Sequence, residues 1–262
     1  MTTVRGHVAF ARVQVRTVLT YRFNYLFSVV GVILHVYLLN VVWVAVYQGR
    51  GAVNGVDLNT VMVYSTFAAV QNWLLVPWEF SLIPARVREG RVAFDLMRPI
   101  GFVGQVVAGQ LGRTLAVLPL ALVLFPVAVV VGRGAPPPTT AAGVWYLAAL
   151  LGAWLVATQL SVVVGMAAFW TLEVGGSFLV YRMVSLFLSG ALVPLWFMPS
   201  ALRVAAELLP FQAVTYGPVA VYLGQESGPG VVGVQLLWVL LLAVLSRWIW
   251  ARARHRVVVQ GG

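Results

Sequence analysis

Residues 22–50 read RFNYLFSVVGVILHVYLLNVVWVAVYQGR, with an arginine at each end and no charged side chain between them. A helix over residues 24–47 is long enough to cross a hydrocarbon layer, which needs about 20 apolar residues. An arginine at the centre of such a helix costs about 2.5–3.5 kcal/mol, against about 0.3–0.6 kcal/mol gained for each Leu, Ile, Val or Phe. The same avoidance recurs along the chain. All 17 basic residues are arginines, and each can sit near the end of an apolar run or in a connecting loop. The pattern predicts an all-α, polytopic integral membrane protein.

Composition narrows the class further. Of 262 residues, 61% are hydrophobic and only 9% charged, whereas a soluble domain carries about 25% charged residues. A net charge of +10 would ordinarily raise nucleic acid as a partner. In so apolar a chain the arginines instead set topology and meet anionic headgroups, so the expected contact is the lipid membrane and not nucleic acid. No cysteine is present, which excludes disulfides, thiolate chemistry and cysteine metal sites. The arginine-bearing first 23 residues do not resemble a cleaved signal, and residues 24–47 read as a retained anchor.

Apolar runs bounded by polar turns predict six spans in one domain covering residues 1–262: 24–47, 59–79, 110–131, 141–169, 177–198 and 231–248. Before them, residues 1–23 suit an interfacial helix, with Val4, Val8, Ala11, Val15 and Val18 on one stripe and Arg5, Arg12 and Arg16 beside it. Pro119 and Pro126 predict a kink in the third span. Residues 199–224 are too interrupted by proline and charge for a span and read as short helices re-entering from one face. Aromatic residues near span ends, among them Trp43, Tyr47, Trp145, Tyr146, Trp170, Trp196, Trp238, Trp248 and Trp250, read as interfacial belts. Six spans put both termini on one side with 14 of the 17 arginines, leaving Arg50, Arg133 and Arg203 on the other. The positive-inside rule therefore makes both termini cytoplasmic.

The densest charge lies at residues 80–98. Pro84 fits the first turn of a short helix, Gly90 its stop, and Pro99 the end of a second helix over residues 91–98. Arg86, Arg88, Glu89, Arg91, Asp95 and Arg98 then form a mixed-charge face beside the apolar Val87, Val92, Phe94, Leu96 and Met97. Such a helix pair suits docking to a soluble partner, and a membrane-surface loop without a partner is the plainer reading.

Trp78-Glu79, Ile83, Arg88-Glu89-Gly90-Arg91 and Asp95-Leu-Met-Arg-Pro99 together resemble the signature of ABC-2 type transporter permeases, in their six-span half-permease branch. Further matching pieces are Phe169-Trp-Thr-Leu-Glu173, Leu188-Ser-Gly-Ala-Leu-Val-Pro194, Pro199, Leu208-Leu-Pro-Phe211, Pro218 with Tyr222-Leu-Gly224, and Val259-Gln-Gly-Gly262. The resemblance implies the permease subunit of an ATP-driven exporter in a bacterial cytoplasmic membrane. It makes residues 80–98 the coupling helix that meets a separate ATPase subunit, residues 1–23 the connecting helix and residues 199–224 extracellular re-entrant helices. It also implies a second permease chain, identical or different, and a hydrophobic or amphipathic substrate. ATP and Mg would belong to the partner, with no cofactor on this chain.

Enzymatic chemistry finds little footing. Without lysine there is no P-loop and no Schiff base. His7, His35 and His255 are too scattered for a metal motif, and no GxSxG elbow occurs. Candidates for the translocation path are the polar residues within predicted spans: His35, Asn40, Gln71, Asn72, Gln159, Ser185 and Ser189. For each, hydrogen bonding between helices competes with substrate contact. Two other functions fit a polytopic chain. A secondary transporter would show inverted repeats and intramembrane carboxylates, and neither is found; an anchor or sensor would recruit a partner without transport.

Overall fold

A computed structural model describes residues 2–75, 82–171 and 175–256. Trp78 and Glu79 at the expected end of the second span, Glu173 and the tail from residue 257 lie outside the described residues. The chain starts with α1 (Thr2–Thr20), breaks at Tyr21, and continues as α2 (Arg22–Val46). After a polar turn come α3 (Leu58–Leu75), two short helices α4 (Leu82–Arg88) and α5 (Val92–Leu96), and the long α6 (Phe102–Val131). Next are α7 (Thr140–Gly165), extended by a tighter turn over Met166–Phe169, and α8 (Gly175–Leu188). The short α9 (Ser200–Glu207) and α10 (Tyr216–Tyr222) precede α11 (Gly228–Ala253).

Among the described residues, four helical segments are long and apolar enough to cross a bilayer: Phe23–Val46, Phe102–Val131, Thr140–Phe169 and Gly228–Arg256. The helices at the other two expected spans differ in character. α3 is buried on almost every side, and its interior positions include Ser65, Thr66 and Gln71. A helix enclosed by protein has no lipid to satisfy, so it can be less apolar than its neighbours. α8 stops at Leu188, ten residues short of the expected end at 198. Gly190 takes a left-handed conformation there, at φ 80°, and Pro194 follows. The apolar residues 189–198 form a turn and a short 3-10 segment whose Leu195 and Met198 pack in the core.

Two further boundaries move. α6 begins at Phe102, eight residues before the expected start at 110. Gly101 supplies an extended cap after Pro99, and Phe102 stacks on Trp250 with centroids 4.5 Å apart. The helix holds 30 residues and continues through both Pro119 and Pro126. At 1.5 Å per residue it is about 45 Å long, half as long again as the hydrocarbon layer. Arg113 therefore sits within a helix yet can still lie near the interface.

The fold is not purely helical. Ala52–Val53 (β1) and Val56–Asp57 (β2) pair as an antiparallel hairpin. Asn54 and Gly55 turn it with φ of 52° and 78°, the conformation that an Asn-Gly hairpin turn requires. Asp57 then starts α3: its carboxylate accepts from the Thr60 amide at 3.0 Å and the Thr60 hydroxyl at 2.6 Å. Thr139 and Ser227 cap α7 and α11 in the same manner, accepting from Ala142 and Gly230 at 3.1 Å.

Packing groups α2, α3 and α6 with α1 laid along α6, and α7, α10 and α11 beside them. Close approach of α1 to α6 depends on Gly112, where a Cβ would collide with the Ala11 carbonyl. At one end of the bundle, Tyr64, Phe67, Tyr146, Tyr216 and Tyr222 form an aromatic cluster. Trp43, Tyr47 and Tyr146 are buried, contrary to the expected belts, because each packs against a neighbouring helix or turn. Trp145, Trp170 and Trp248 are exposed.

Candidate functional site

The candidate site is the elbow between α3 and α6. α4 and α5 form there because Pro84 sits in the first turn of α4 and Gly90, at φ 66°, supplies the left-handed residue that ends it. The inner face of the elbow is apolar: Ile83, Val92, Phe102, Val106, Val162 and Met166 form one buried cluster.

The charges do not share one outer face, as residue spacing suggests they should. Asp95 turns inward, its side chain 5% exposed, and accepts from Arg86 Nη1 at 2.8 Å. Arg98 approaches the other carboxylate oxygen at 3.2 Å. α5 is only five residues long, so the side bearing Asp95 also bears the buried Val92 and must face α4. Burial pulls the Arg86 guanidinium below its ordinary value, and Asp95 opposes that pull. Gln105 of α6 closes the bracket, donating through Nε2 to the carbonyls of Asp95 and Ile100 at 2.8 and 2.9 Å. Phe10 of α1 lies under both guanidinium groups, 4.9 Å from Arg86 and 5.5 Å from Arg98. One carboxylate, two arginines, a glutamine and an aromatic ring thus tie α1, α4, α5 and α6 together.

What the bracket leaves outside is a different surface. Arg88, Glu89 and Arg91 are exposed, and Glu89 pairs with Arg91. Beside them Phe94 is 68% and Met97 82% exposed, with Leu96 also outward. Val87 and Val92, expected as apolar knobs, belong to the inner cluster.

A sequence profile describing an ABC-2 family transporter protein matches residues 32–261. The chain belongs to the ABC-2 transporter family. No curated protein and no solved structure gives a significant match. Membership makes the chain a multi-pass membrane transport component of the ABC class, a family of permeases that typically work with ABC ATPase subunits.

The polar residues within the helices of this ABC-2 chain fall into distinct settings. Asn40 is buried and donates to the Val131 carbonyl at 3.2 Å, joining α2 to the end of α6. Gln71 is buried and donates to the Val214 carbonyl at 2.6 Å. Ser185 hydrogen-bonds the Tyr181 side chain. Ser189 is buried, and its carbonyl accepts from the Tyr216 amide at 3.0 Å. Asn72 and Gln159 are half-buried, and His35 lies on the outward face of α2 among the exposed Leu34, Tyr37 and Leu38. These residues are not gathered into one site within the chain.

Three contributors escaped the sequence reading. Gln105 lies ahead of the expected third span. Gln235 lies inside the expected sixth, where its polarity was a usable signal; it donates to the Ala149 and Ala213 carbonyls, both at 2.9 Å. Phe10 gave no signal, since an apolar residue on an amphipathic helix looks like any other.

Proposed function

We propose that this ABC-2 chain is the permease half of an ATP-driven exporter and receives motion from a separate ATPase subunit through the outer face of its elbow. The observation that carries the reading is the exposed surface of Phe94, Leu96 and Met97 beside Arg88, Glu89 and Arg91. It is mounted on the bracket that joins α4 and α5 to α1 and α6. An exposed aromatic and a methionine amid charges suit a protein groove better than bulk water. ATP and Mg sit on the partner, and ATP-driven closure presses the elbow and re-aims α1 and α6 together.

The remaining topology follows from the same reading. α2, α3, α6, α7, α8 and α11 are the six spans, α1 runs beside the cytoplasmic part of α6, and α9 with α10 re-enter from the opposite side. Both termini are cytoplasmic in a bacterial cytoplasmic membrane. A second permease chain covers the apolar outward faces of α2 and α8, such as Leu34, Leu38, Val180 and Met183, which places His35 at the seam between chains. The substrate is a hydrophobic or amphipathic molecule moved by alternating access.

The test reconstitutes the chain with an ABC ATPase subunit that co-purifies with it from the native membrane. Met97→Glu and Arg91→Glu should abolish co-purification or cut substrate-stimulated ATP hydrolysis by about tenfold or more, as loss of an interface anchor does. Full coupling in both variants would refute the docking face. Transport that proceeds on an ion gradient without any ATPase would make the chain a secondary transporter instead.

A further inference from the structure

Three aromatic rings meet on the inner side of the elbow, where α6 begins and where the α7 extension and α11 end. Trp250 of α11 stacks on Phe102 of α6 with an interplanar angle of 12°. Phe169, in the tight turn after α7, stands edge-on to both, its centroid 6.0 Å from Phe102 and 5.8 Å from Trp250. Phe102 is buried with Ile83, Val92 and Met166 of the elbow cluster, and Phe169 and Trp250 pack against that cluster. The rings therefore join the elbow to α11 as well as to α6. Stacked and edge-to-face rings at these separations attract beyond their buried area. A close-packed cluster does not deform continuously when one side of it is pushed.

The two arms that leave this point differ in stiffness. α6 carries Gly104, Gly109 and Gly112, and it lacks the helical hydrogen bonds that Pro119 and Pro126 cannot donate. α11 holds neither glycine nor proline from Val234 to Ala253. It is also braced sideways, Leu242 sharing one buried cluster with Ala153, Val156 and Leu160 of α7. About 22 Å along α11 from Trp250 stands Gln235. Its Nε2 donates to the Ala149 carbonyl of α7 and to the Ala213 carbonyl between α9 and α10. An unbroken helix thus connects the elbow cluster to that irregular segment.

We propose that Trp250 is a positioning residue for coupling: its stack on Phe102 makes α11 follow the elbow, and α11 carries the movement through Gln235 to residues 213–215. This role rests on the ATPase-coupled reading of the elbow and adds a second arm to the bracket that ties α1 and α6. Trp250 belongs to the inner cluster and not to the exposed face of Phe94 and Met97, so altering it leaves the docking face in place.

The test places the full-length chain with its co-purifying ABC ATPase subunit in lipid nanodiscs. Amide hydrogen exchange is followed without nucleotide and after trapping with ATP and vanadate. In wild type, trapping should shift exchange at residues 211–217 as well as at the elbow. Trp250→Ala and Trp250→Leu should each retain the ATPase and the elbow shift but lose the shift at 211–217. Trp250→Phe, which keeps a stacking ring, should preserve it. Should Trp250→Ala fail to fold, Trp250→Leu decides alone, since it keeps apolar bulk without the ring. A full shift at 211–217 in Trp250→Leu, its equal loss in Trp250→Phe, or a wild-type shift confined to the elbow would overturn the role of the stack and leave the ATPase reading standing. Release of the ATPase by Trp250→Leu would overturn it as well, by placing Trp250 in the docking face. A wild-type elbow that does not respond to trapping would overturn both.

Discussion

Replacing Asp95 with Ala leaves the Arg86 guanidinium, its side chain 12% exposed, without its carboxylate partner at 2.8 Å. Breaking a buried pair from one side costs about 3–5 kcal/mol, so Asp95→Ala should lower the thermal unfolding midpoint of the detergent-solubilised chain markedly. Arg88→Ala, on the exposed side of the same elbow, should change stability by no more than about 0.5 kcal/mol. If the two variants melt alike, the bracket is not structural. Asp57 permits a second residue-level check. Its bonds to the Thr60 hydroxyl and amide hold the carboxyl below the ordinary aspartate value of 3.8. A lowered folded-state value means that this contribution is complete above pH 3.8 and is lost as pH falls through the lower value. Asp57→Ala should cost about 1 kcal/mol at neutral pH and should flatten the acid limb of a stability–pH profile. A limb of unchanged steepness would assign it to other groups.

Among the elements, the segment between α9 and α10 owes its position to two amides that reach it from opposite sides. Gln71 of α3 donates to Val214 and, at 3.4 Å, to Thr215, while Gln235 of α11 donates to Ala213. Ala213, Val214 and Thr215 are buried, and irregular backbone inside a protein needs partners for its carbonyls. Gln71→Leu and Gln235→Leu remove the donors at nearly constant volume and leave buried acceptors unmet, at about 1–3 kcal/mol for each group. Hydrogen exchange should accelerate across residues 211–217 in either variant and stay unchanged in α6. Uniform acceleration over the whole chain would point to global loss of stability and not to release of this segment.

For the whole molecule, the absence of cysteine makes single-cysteine labelling straightforward. Arg88→Cys should react with a membrane-impermeant maleimide only in inverted vesicles or opened cells. Arg133→Cys, after the far end of α6, should react in intact cells. The reverse pattern would invert the proposed topology and remove the elbow from any cytoplasmic ATPase.

Much of the elbow was legible in residue order because its determinants are local. Pro84, Gly90 and Pro99 limit backbone conformation whatever surrounds them, and they mark two short helices within a few residues. The direction in which Asp95 points was not legible, since it depends on Val92 finding a cavity among residues from α4, α6 and α7. Likewise, residues 189–198 are apolar enough to read as membrane helix, and only their burial against Tyr64 and Tyr216 makes a turn there tolerable.

The sequence by itself determined that this chain lives in a bilayer, and it marked the short helices of the elbow through Pro84, Gly90 and Pro99. Hydropathy, arginine placement and proline or glycine act within one helix length, so order along the chain is enough to fix them. Tertiary structure alone decided which charges brace the elbow and which face outward, which amides hold the segment between α9 and α10, and that the α1–α2 bend borders a cavity. Each of these depends on residues far apart in the chain, Phe10 with Arg86 or Gln71 with Val214, and no local rule encodes such a meeting.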